Sequence, residues 1–305
     1  MGTNLPDRKA AVVTHGGAGN SKRNEDGCVG AARAAAVRLG DNEPALAAAI
    51  AAVSHLEDDG RFNAGRGADL GLDGVTLECC ASVMDTDGAL GAAVCVRNVR
   101  NPVQLAAAIA RTPHWALAGE GADRFARLMG LPEAEHDVEH AREMNRKTLQ
   151  ALGRPEPAMP GVDNRAFPEF WNYALPWHEA MRRYGCGTVG AVVRDHQGRF
   201  AVATSTGGSA PALLGRVGDT PIVGCGFYCG PLGAIGATGI GEAIVRQLLA
   251  RTVYDWIAAG RPLQEALDAG IALFDQDTDV GLIGVTADRH GSASNRRMPV
   301  AALEC

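Results

Sequence analysis

The run Gly185-Cys186-Gly187-Thr188-Val189-Gly190-Ala191-Val192-Val193 decides how this chain is read. A second run, from Arg199, ends in Ala203-Thr204-Ser205-Thr206-Gly207-Gly208. Thr188 to Arg194 and Arg199 to Thr206 are both β-patterned. Between them stands Asp195-His196-Gln197-Gly198, so the spacing predicts a β-hairpin with a four-residue loop. Pairing outward from that loop brings Thr206 opposite or next to Thr188. Two hydroxyls then meet at the open end of the hairpin.

A threonine hydroxyl is a weak nucleophile unless a base stands beside it. Cutting the chain before Thr188 would supply one, because an α-amine titrates near about 7.7–8.0 and is free to accept a proton near neutral pH. Gly187 suits such a cut. A residue without Cβ tolerates the strained backbone that brings Oγ onto the preceding carbonyl. Taken alone, Thr188 reads first as an ordinary strand threonine, since β-branched residues favour strands. Other motifs in the chain reverse that reading.

Bulk properties narrow the class. A chain of 305 residues buries a sizeable core, and 46% hydrophobic with 21% charged residues is ordinary for a globular protein. Glycine is 39 of 305 residues, about 13%, against a usual ~7%. Aromatics are only 5%, so the core is expected to be alanine and valine with many tight turns. Net charge is −6 with no Lys/Arg cluster, which argues against nucleic-acid binding. No apolar stretch approaches the ~18 residues of a membrane span, and Met1 to Ala10 lacks a signal-peptide apolar region. A cytoplasmic location is the expectation. The eight cysteines include no CxxC pair. Free buried thiols are expected rather than disulfides or zinc.

Along the chain, Lys9 to Thr14 reads as a strand ending in the turn His15-Gly16-Gly17-Ala18-Gly19. Asp26 to Leu39 and Glu43 to Leu56 read as helices, as do Pro102 to Ile109 and Gly119 to Met129. Asn63 to Val94 reads as short strands broken by Gly65, Gly67 and Asp73-Gly74. Five prolines between Arg154 and Trp177 mark a linker. Beyond the hairpin, Glu242 to Ala259 and Leu263 to Phe274 read as helices. Val280 to Thr286 and a run ending near Val300 read as closing strands. Segregated strand and helix runs predict an α+β fold of sheets between helix layers. The glycine turn after His15 lacks the spacing of a phosphate loop.

The ordered set of motifs resembles the plant-type L-asparaginase/isoaspartyl peptidase family of N-terminal-nucleophile (Ntn) hydrolases. The match rests on the hairpin, Gly215-Arg216-Val217-Gly218-Asp219, His15 to Gly19, Leu56-Glu57-Asp58-Asp59, Phe62-Asn63-Ala64-Gly65, Ala81 to Asp85, Arg100 to Val103, Thr238-Gly239 with Gly241-Glu242, and Met298-Pro299. It covers nearly everything except about Pro132 to Tyr184. The resemblance implies a four-layer αββα sandwich of the Ntn-hydrolase type. Residues 1–187 would form an α-subunit half ending in a flexible linker from about 150. Residues 188–305 would form a β-subunit half starting at the nucleophile.

The resemblance also implies roles. Thr188 would be nucleophile, with self-cleavage between Gly187 and Thr188. Thr206 would orient its hydroxyl. Thr238 and Gly239 would form the oxyanion hole. Arg216 and Asp219 would clamp an amino-acid zwitterion, with Asn63, Gly239 and Gly241 lining the substrate pocket. Backbone carbonyls of Leu56, Glu57, Asp59, Phe62, Ala64 and Arg66 would hold a structural sodium ion, with no cofactor for the chemistry. The substrates implied are L-asparagine and β-aspartyl dipeptides, with no nucleic acid or membrane partner, and the assembly a homodimer of cleaved αβ protomers. Two alternatives stay open: a glycosylasparaginase-like amidase, and an uncleaved inactive relative that binds without turnover. The chain departs from the family at Ile240, at Cys80 where Asp is usual, at Asp279-Val280-Gly281, and in a shorter Phe227 to Gly233 loop.

Overall fold

The structure is a computed structural model, and it describes residues 9–134, 166–173, 186–209 and 212–305. The proline-rich run from Arg154 to Trp177 lies largely outside these residues, apart from the helical turn Ala166–Glu169.

The hairpin sits at the centre. Strands β5 (Cys186–Arg194) and β6 (Phe200–Ser209) pair antiparallel, with Arg194 opposite Phe200 and Thr188 opposite Thr206. The loop is therefore 195–199, one residue longer than the sequence suggests. Asp195 closes it: its Oδ1 accepts from the N–H of Gln197 at 3.0 Å and of Arg199 at 2.9 Å. Successive strand side chains point to opposite faces. Val189, Ala191 and Val193 enter one apolar cluster and Val192 another, so both faces of the hairpin are buried.

Around it stand β1 (Ala11–His15), β2 (Cys79–Asp85), β3 (Leu90–Val96), β4 (Ala116–Ala118) and β11 (Val300–Glu304). They form a seven-stranded sheet in the order β11-β1-β5-β6-β2-β3-β4. Every pairing in it is antiparallel except β3 with β4. A four-stranded antiparallel sheet, β10-β9-β8-β7, comprises β7 (Phe227–Gly230), β8 (Gly233–Gly239), β9 (Val280–Thr286) and β10 (His290–Ser294).

Three apolar clusters join these parts. Helices α1 (Glu25–Gly40), α2 (Ala45–Asp59) and α3 (Pro102–Ile109) bury an alanine-rich surface against one face of the large sheet. Small side chains let the helix backbones come close. A second cluster lies between the sheets, where Val13, Val192, Phe200 and Val202 meet Phe227, Ala234, Ile283 and Val285. A third joins the small sheet to α5 (Gly241–Gln247), α6 (Leu249–Ala258) and α7 (Leu263–Ile271). Helix α4 (Gly119–Leu128) packs beside β3 and β4. Among the described residues no helix is long and apolar enough to cross a membrane.

Three expectations are corrected. The helix read over Glu242 to Ala259 breaks at Leu248, whose φ is 46°. The cause is tertiary: the first N–H groups of α6, from Ala250 and Arg251, donate to the carbonyls of Cys225 and Gly224 at 3.1 and 2.9 Å. A loop supplies partners that a continuous helix would have supplied itself. The run that ends near Val300 in the sequence reading holds only β10, and a further strand, β11, begins at Val300. Residues 63–78 form no named strand, only the turn Gly65–Gly67 and an isolated bridge of Leu70 with Leu77.

Glycine spacing makes a stability test. A Cβ on Gly91 would strike the carbonyl oxygen of Ala106 on α3, whereas one on Gly121, inside α4, would meet nothing within 4 Å. Gly91→Ala is expected to destabilise by about 1–3 kcal/mol through overpacking. Gly121→Ala should stabilise by about 0.5–1 kcal/mol through lower backbone entropy loss. Urea titration of both variants checks this; equal midpoints would refute the packing of α3 on β3.

Candidate active site

Strand register sets the first contact. Thr188 and Thr206 are direct cross-strand partners, and the Thr188 hydroxyl donates to Thr206 Oγ1 at 3.2 Å. Thr206 is buried and in turn donates to the Gly208 carbonyl at 3.1 Å, while its Oγ1 lies 3.2 Å from the Gly208 N–H. The Thr188 proton is thus directed at Thr206, and the Oγ lone pairs point elsewhere.

Asn63 holds the end of β6 in place. Its Nδ2 donates to the Gly208 carbonyl at 2.9 Å and its own carbonyl accepts from the Gly207 N–H at 2.9 Å. Its Oδ1 accepts from the Asp69 N–H at 2.8 Å. A Cβ on Gly207 would collide with that Oδ1. Asn63 therefore fixes the strand that fixes Thr206.

The turn after β1 covers Thr188. Gly17 has φ of 100°, and a Cβ there would lie 2.7 Å from the Thr188 carbonyl oxygen and 3.2 Å from its nitrogen. Only glycine fits both the conformation and the space. The next residue, Ala18, donates its N–H to Thr238 Oγ1 at 3.4 Å. One turn thus spans from the nucleophile candidate to the oxyanion-hole candidate. Gly17 and Ala18 carry no site role in the sequence reading, where they stand only within the matching turn His15 to Gly19. His15 anchors it, with Nδ1 accepting from the Gly17 N–H at 3.2 Å. Burial lowers the His15 pKa to about 3, so the ring is neutral at physiological pH.

Thr238 and Gly239 end β8. Thr238 is buried. Gly239 has φ of 141°, and a Cβ there would run into the Asp279 carbonyl. Ile240 follows and donates its N–H to that carbonyl at 2.9 Å. The altered stretch Phe227 to Gly233 is no loop. It is strand β7 and a two-residue turn into β8.

Arg216 and Asp219 come together over Gly241. A Cβ on Gly241 would sit 2.7 Å from Arg216 Nη2 and 3.0 Å from Asp219 Oδ1. Arg216 is already engaged: its Nε and Nη2 donate to the two oxygens of Glu242 at 2.8 and 2.7 Å. That fork-on-carboxylate geometry is the one a substrate carboxylate would adopt. Burial pushes the Glu242 carboxyl up, but the hydrogen bonds and charge of Arg216 outweigh it and leave the group below its ordinary range. Glu242 is a site residue the sequence reading did not weigh. Asp219 is buried, and its Oδ2 lacks a hydrogen-bond partner among the described residues. Burial raises its pKa to about 6, against the pull of Arg216. A buried carboxylate with a spare oxygen suits a cationic ligand group.

The six carbonyls expected to hold a cation come from α2 and the loop after it. Leu56, Glu57 and Asp59 end α2, and Phe62, Ala64 and Arg66 lie in the loop that folds back on it. Gly65, at φ of 52°, places its α-carbon against Glu57, where a Cβ would be 2.6 Å from Glu57 Cβ. The last carbonyls of a helix lack intrahelical partners. The Glu57 side chain is buried and accepts from Ser205 Oγ at 2.6 Å and the Val103 N–H at 3.0 Å. It ties α2 to β6 and to the first turn of α3.

The asparaginase family matches residues 8–301. The chain belongs to this family. A zebrafish (Danio rerio) isoaspartyl peptidase/L-asparaginase is 38% identical over 293 residues, covering 92% of this chain and 86% of the relative. The Macaca fascicularis protein of the same name is 38% identical over 306 residues, covering 96% and 92%. A plant-type L-asparaginase of Pyrococcus horikoshii is 34% identical over 292 residues, covering 91% and 90%. The family match thus runs through both threonine strands, the Arg216 loop and β8.

Glu57 gives a pH signature. Burial raises its pKa from 4.5 to about 8. Between those values the folded state binds more protons than the unfolded chain, so stability is full below pH 4.5 and is lost as pH rises toward 8. Glu57→Gln should flatten the melting temperature across that window. Parallel profiles for parent and variant would mean that Glu57 is ionised in the fold.

Proposed function

We propose that this chain is an autoprocessing amidohydrolase that cleaves β-aspartyl dipeptides and L-asparagine through Thr188 as an N-terminal nucleophile. The observation that carries the reading is the Thr188–Thr206 hydroxyl pair at 3.2 Å beneath Gly17, in a chain of the asparaginase family.

The chemistry follows in two stages. Thr188 Oγ first attacks the Gly187 carbonyl carbon. The C–N bond to Thr188 breaks as a Gly187–Thr188 ester forms, the Oγ proton passes to the freed nitrogen, and water hydrolyses the ester to a Gly187 carboxyl and the Thr188 hydroxyl. The new α-amine is the base that the intact chain lacks. In turnover, Oγ attacks the side-chain carbonyl of asparagine or of a β-aspartyl peptide while the amine takes its proton. Before the attack Thr206 accepts from the Thr188 hydroxyl and keeps Oγ aimed, and the hydroxyl leaves Thr206 as it hands its proton to the amine. The oxyanion takes hydrogen bonds from Thr238 Oγ and the Gly239 N–H. The amine returns the proton to the departing ammonia or amino acid. Water, deprotonated by the same amine, then releases aspartate. Arg216 holds the substrate α-carboxylate and Asp219 its α-ammonium, with Asn63 and Gly241 shaping the pocket. Glu242 occupies the Arg216 fork until substrate arrives.

The wider reading rests on the family. The clusters on both faces of each sheet support a four-layer αββα sandwich of the Ntn-hydrolase type. Residues 1–187 and 188–305 would be its two chains, paired as a homodimer of αβ protomers. Hard cations prefer oxygen donors. The carbonyls at the end of α2 and in the following loop are such donors, which supports a structural sodium ion. A cytoplasmic location and a lack of nucleic-acid or membrane partners agree with the acidic charge.

Purified protein should separate on a denaturing gel over time into fragments of 187 and 118 residues (305 − 187). The smaller should begin Thr-Val-Gly-Ala-Val on N-terminal sequencing. An intact chain with full activity would refute the mechanism.

Thr238→Ala should still cut itself but turn over asparagine about 10²–10³ times more slowly, the usual cost of one oxyanion donor. A rate close to that of the parent would remove Thr238 from the site.

A further inference from the structure

The substitution of Cys80 for the usual aspartate has a counterpart across the sheet. On β2 and β3, Cys79 stands opposite Val96 and Ala81 opposite Ala93, so the ladder slips by one residue between them. Cys80 therefore faces two residues, Val94 and Cys95, which is a β-bulge. Cys95 takes up the slack at φ of 50°, a conformation uncommon outside glycine, asparagine and aspartate.

The bulge sets the two cysteines side by side. The Cys95 N–H donates to Cys80 Sγ at 3.3 Å. Cys80 is buried, and Cys95 is partly open to solvent. Paired residues of a regular antiparallel ladder have Cα atoms about 4.5–5.5 Å apart, and across this bulge the Cys95 N–H still reaches Cys80 Sγ. A disulfide needs about 4.4–6.8 Å.

The two sulfurs are unequal. The neighbouring Cys80 lowers the Cys95 pKa, opposed by burial and the charge of Glu78 and helped by the charges of Arg97 and Arg216. The same contact, with burial, holds Cys80 far up. Burial also raises Cys28, Cys79, Cys225, Cys229 and Cys305. Among the described cysteines, Cys95 alone combines access with a favoured thiolate, and a second thiol lies against it.

We propose that Cys80 and Cys95 form a redox-active dithiol, a modification site that closes to a disulfide on meeting a low-molecular-weight disulfide. Cys95 thiolate attacks one sulfur of the reagent. The reagent S–S bond breaks, one thiolate leaves, and a mixed disulfide forms on Cys95. Cys80 then attacks Cys95 Sγ, loses its proton to solvent, and expels the second thiolate. Two protein thiols are oxidised, and one reagent disulfide is reduced to two thiols.

The site is wired to the candidate active centre. Cys80 pairs with Thr206 on its other edge, and Cys95 Sγ lies 4.0 Å from the Arg216 carbonyl. On the functional reading above, on which this coupling rests, closing the disulfide shifts the Arg216 loop and raises KM for asparagine.

The full-length protein is incubated with oxidised glutathione, blocked with an alkylating agent and digested without reductant. The intact mass should fall by two hydrogens, and a Cys80–Cys95 cross-linked peptide should appear and vanish on reduction. Cys79→Ser should retain the cross-link. Cys80→Ser should stop at a glutathione adduct on Cys95. A parent protein that stops at that adduct, that cross-links another pair, or whose Cys95 does not react overturns the site, whatever the substrate of the enzyme. A cross-link that forms and leaves the KM for asparagine unchanged overturns the coupling to Arg216.

Discussion

The register of β5 against β6 is the constraint on which the rest depends. Thr188 meets Thr206 because Arg194 meets Phe200 at the far end of the same ladder. A one-residue slip would turn every side chain of one strand to the opposite face. Slip is blocked on both faces at once. Val189, Ala191 and Val193 fill the helix side, and Val192 and Val202 fill the space between the sheets. Asp195 locks the loop end, and Asn63 locks the open end through Gly207 and Gly208.

Close backbone approach builds the site on that register. Gly17 lies on Thr188, Gly239 lies on Asp279, and Gly241 lies under Arg216 and Asp219. Each contact leaves no room for a Cβ. Charge is arranged with similar economy of space. His15 is neutral beneath the turn, while Asp219 and the Arg216–Glu242 pair meet over Gly241. Asp219 keeps one buried oxygen without a hydrogen-bond partner among the described residues, and the Arg216 guanidinium is held by the Glu242 carboxylate.

Much of this was legible in the sequence, for identifiable reasons. Thr188 and Thr206 were legible because hairpin pairing depends only on short-range spacing. Helices α1 to α4 were legible because their apolar periodicity and proline or glycine ends are local. The break at Leu248 was not, because loop carbonyls from Gly224 and Cys225 cause it and leave no mark on residues 242–259. Gly17 was seen as a turn glycine, but its role depends on a strand about 170 residues away in sequence, a separation that no local pattern encodes. Glu242 was passed over because a charged residue in a first helical turn is ordinary. Cys80 and Cys95 gained meaning only once a bulge set one against the other.

The central claim is that Thr188 supplies the nucleophile. Its most direct test is the hydrolysis of a β-aspartyl dipeptide by purified Thr188→Ala protein that melts like the parent. The hydroxyl lies on a strand whose backbone ladder does not need it, so the fold should survive. The account predicts no release of aspartate and no cleavage of the chain. Undiminished release of aspartate would contradict it, because the nucleophile would then lie elsewhere.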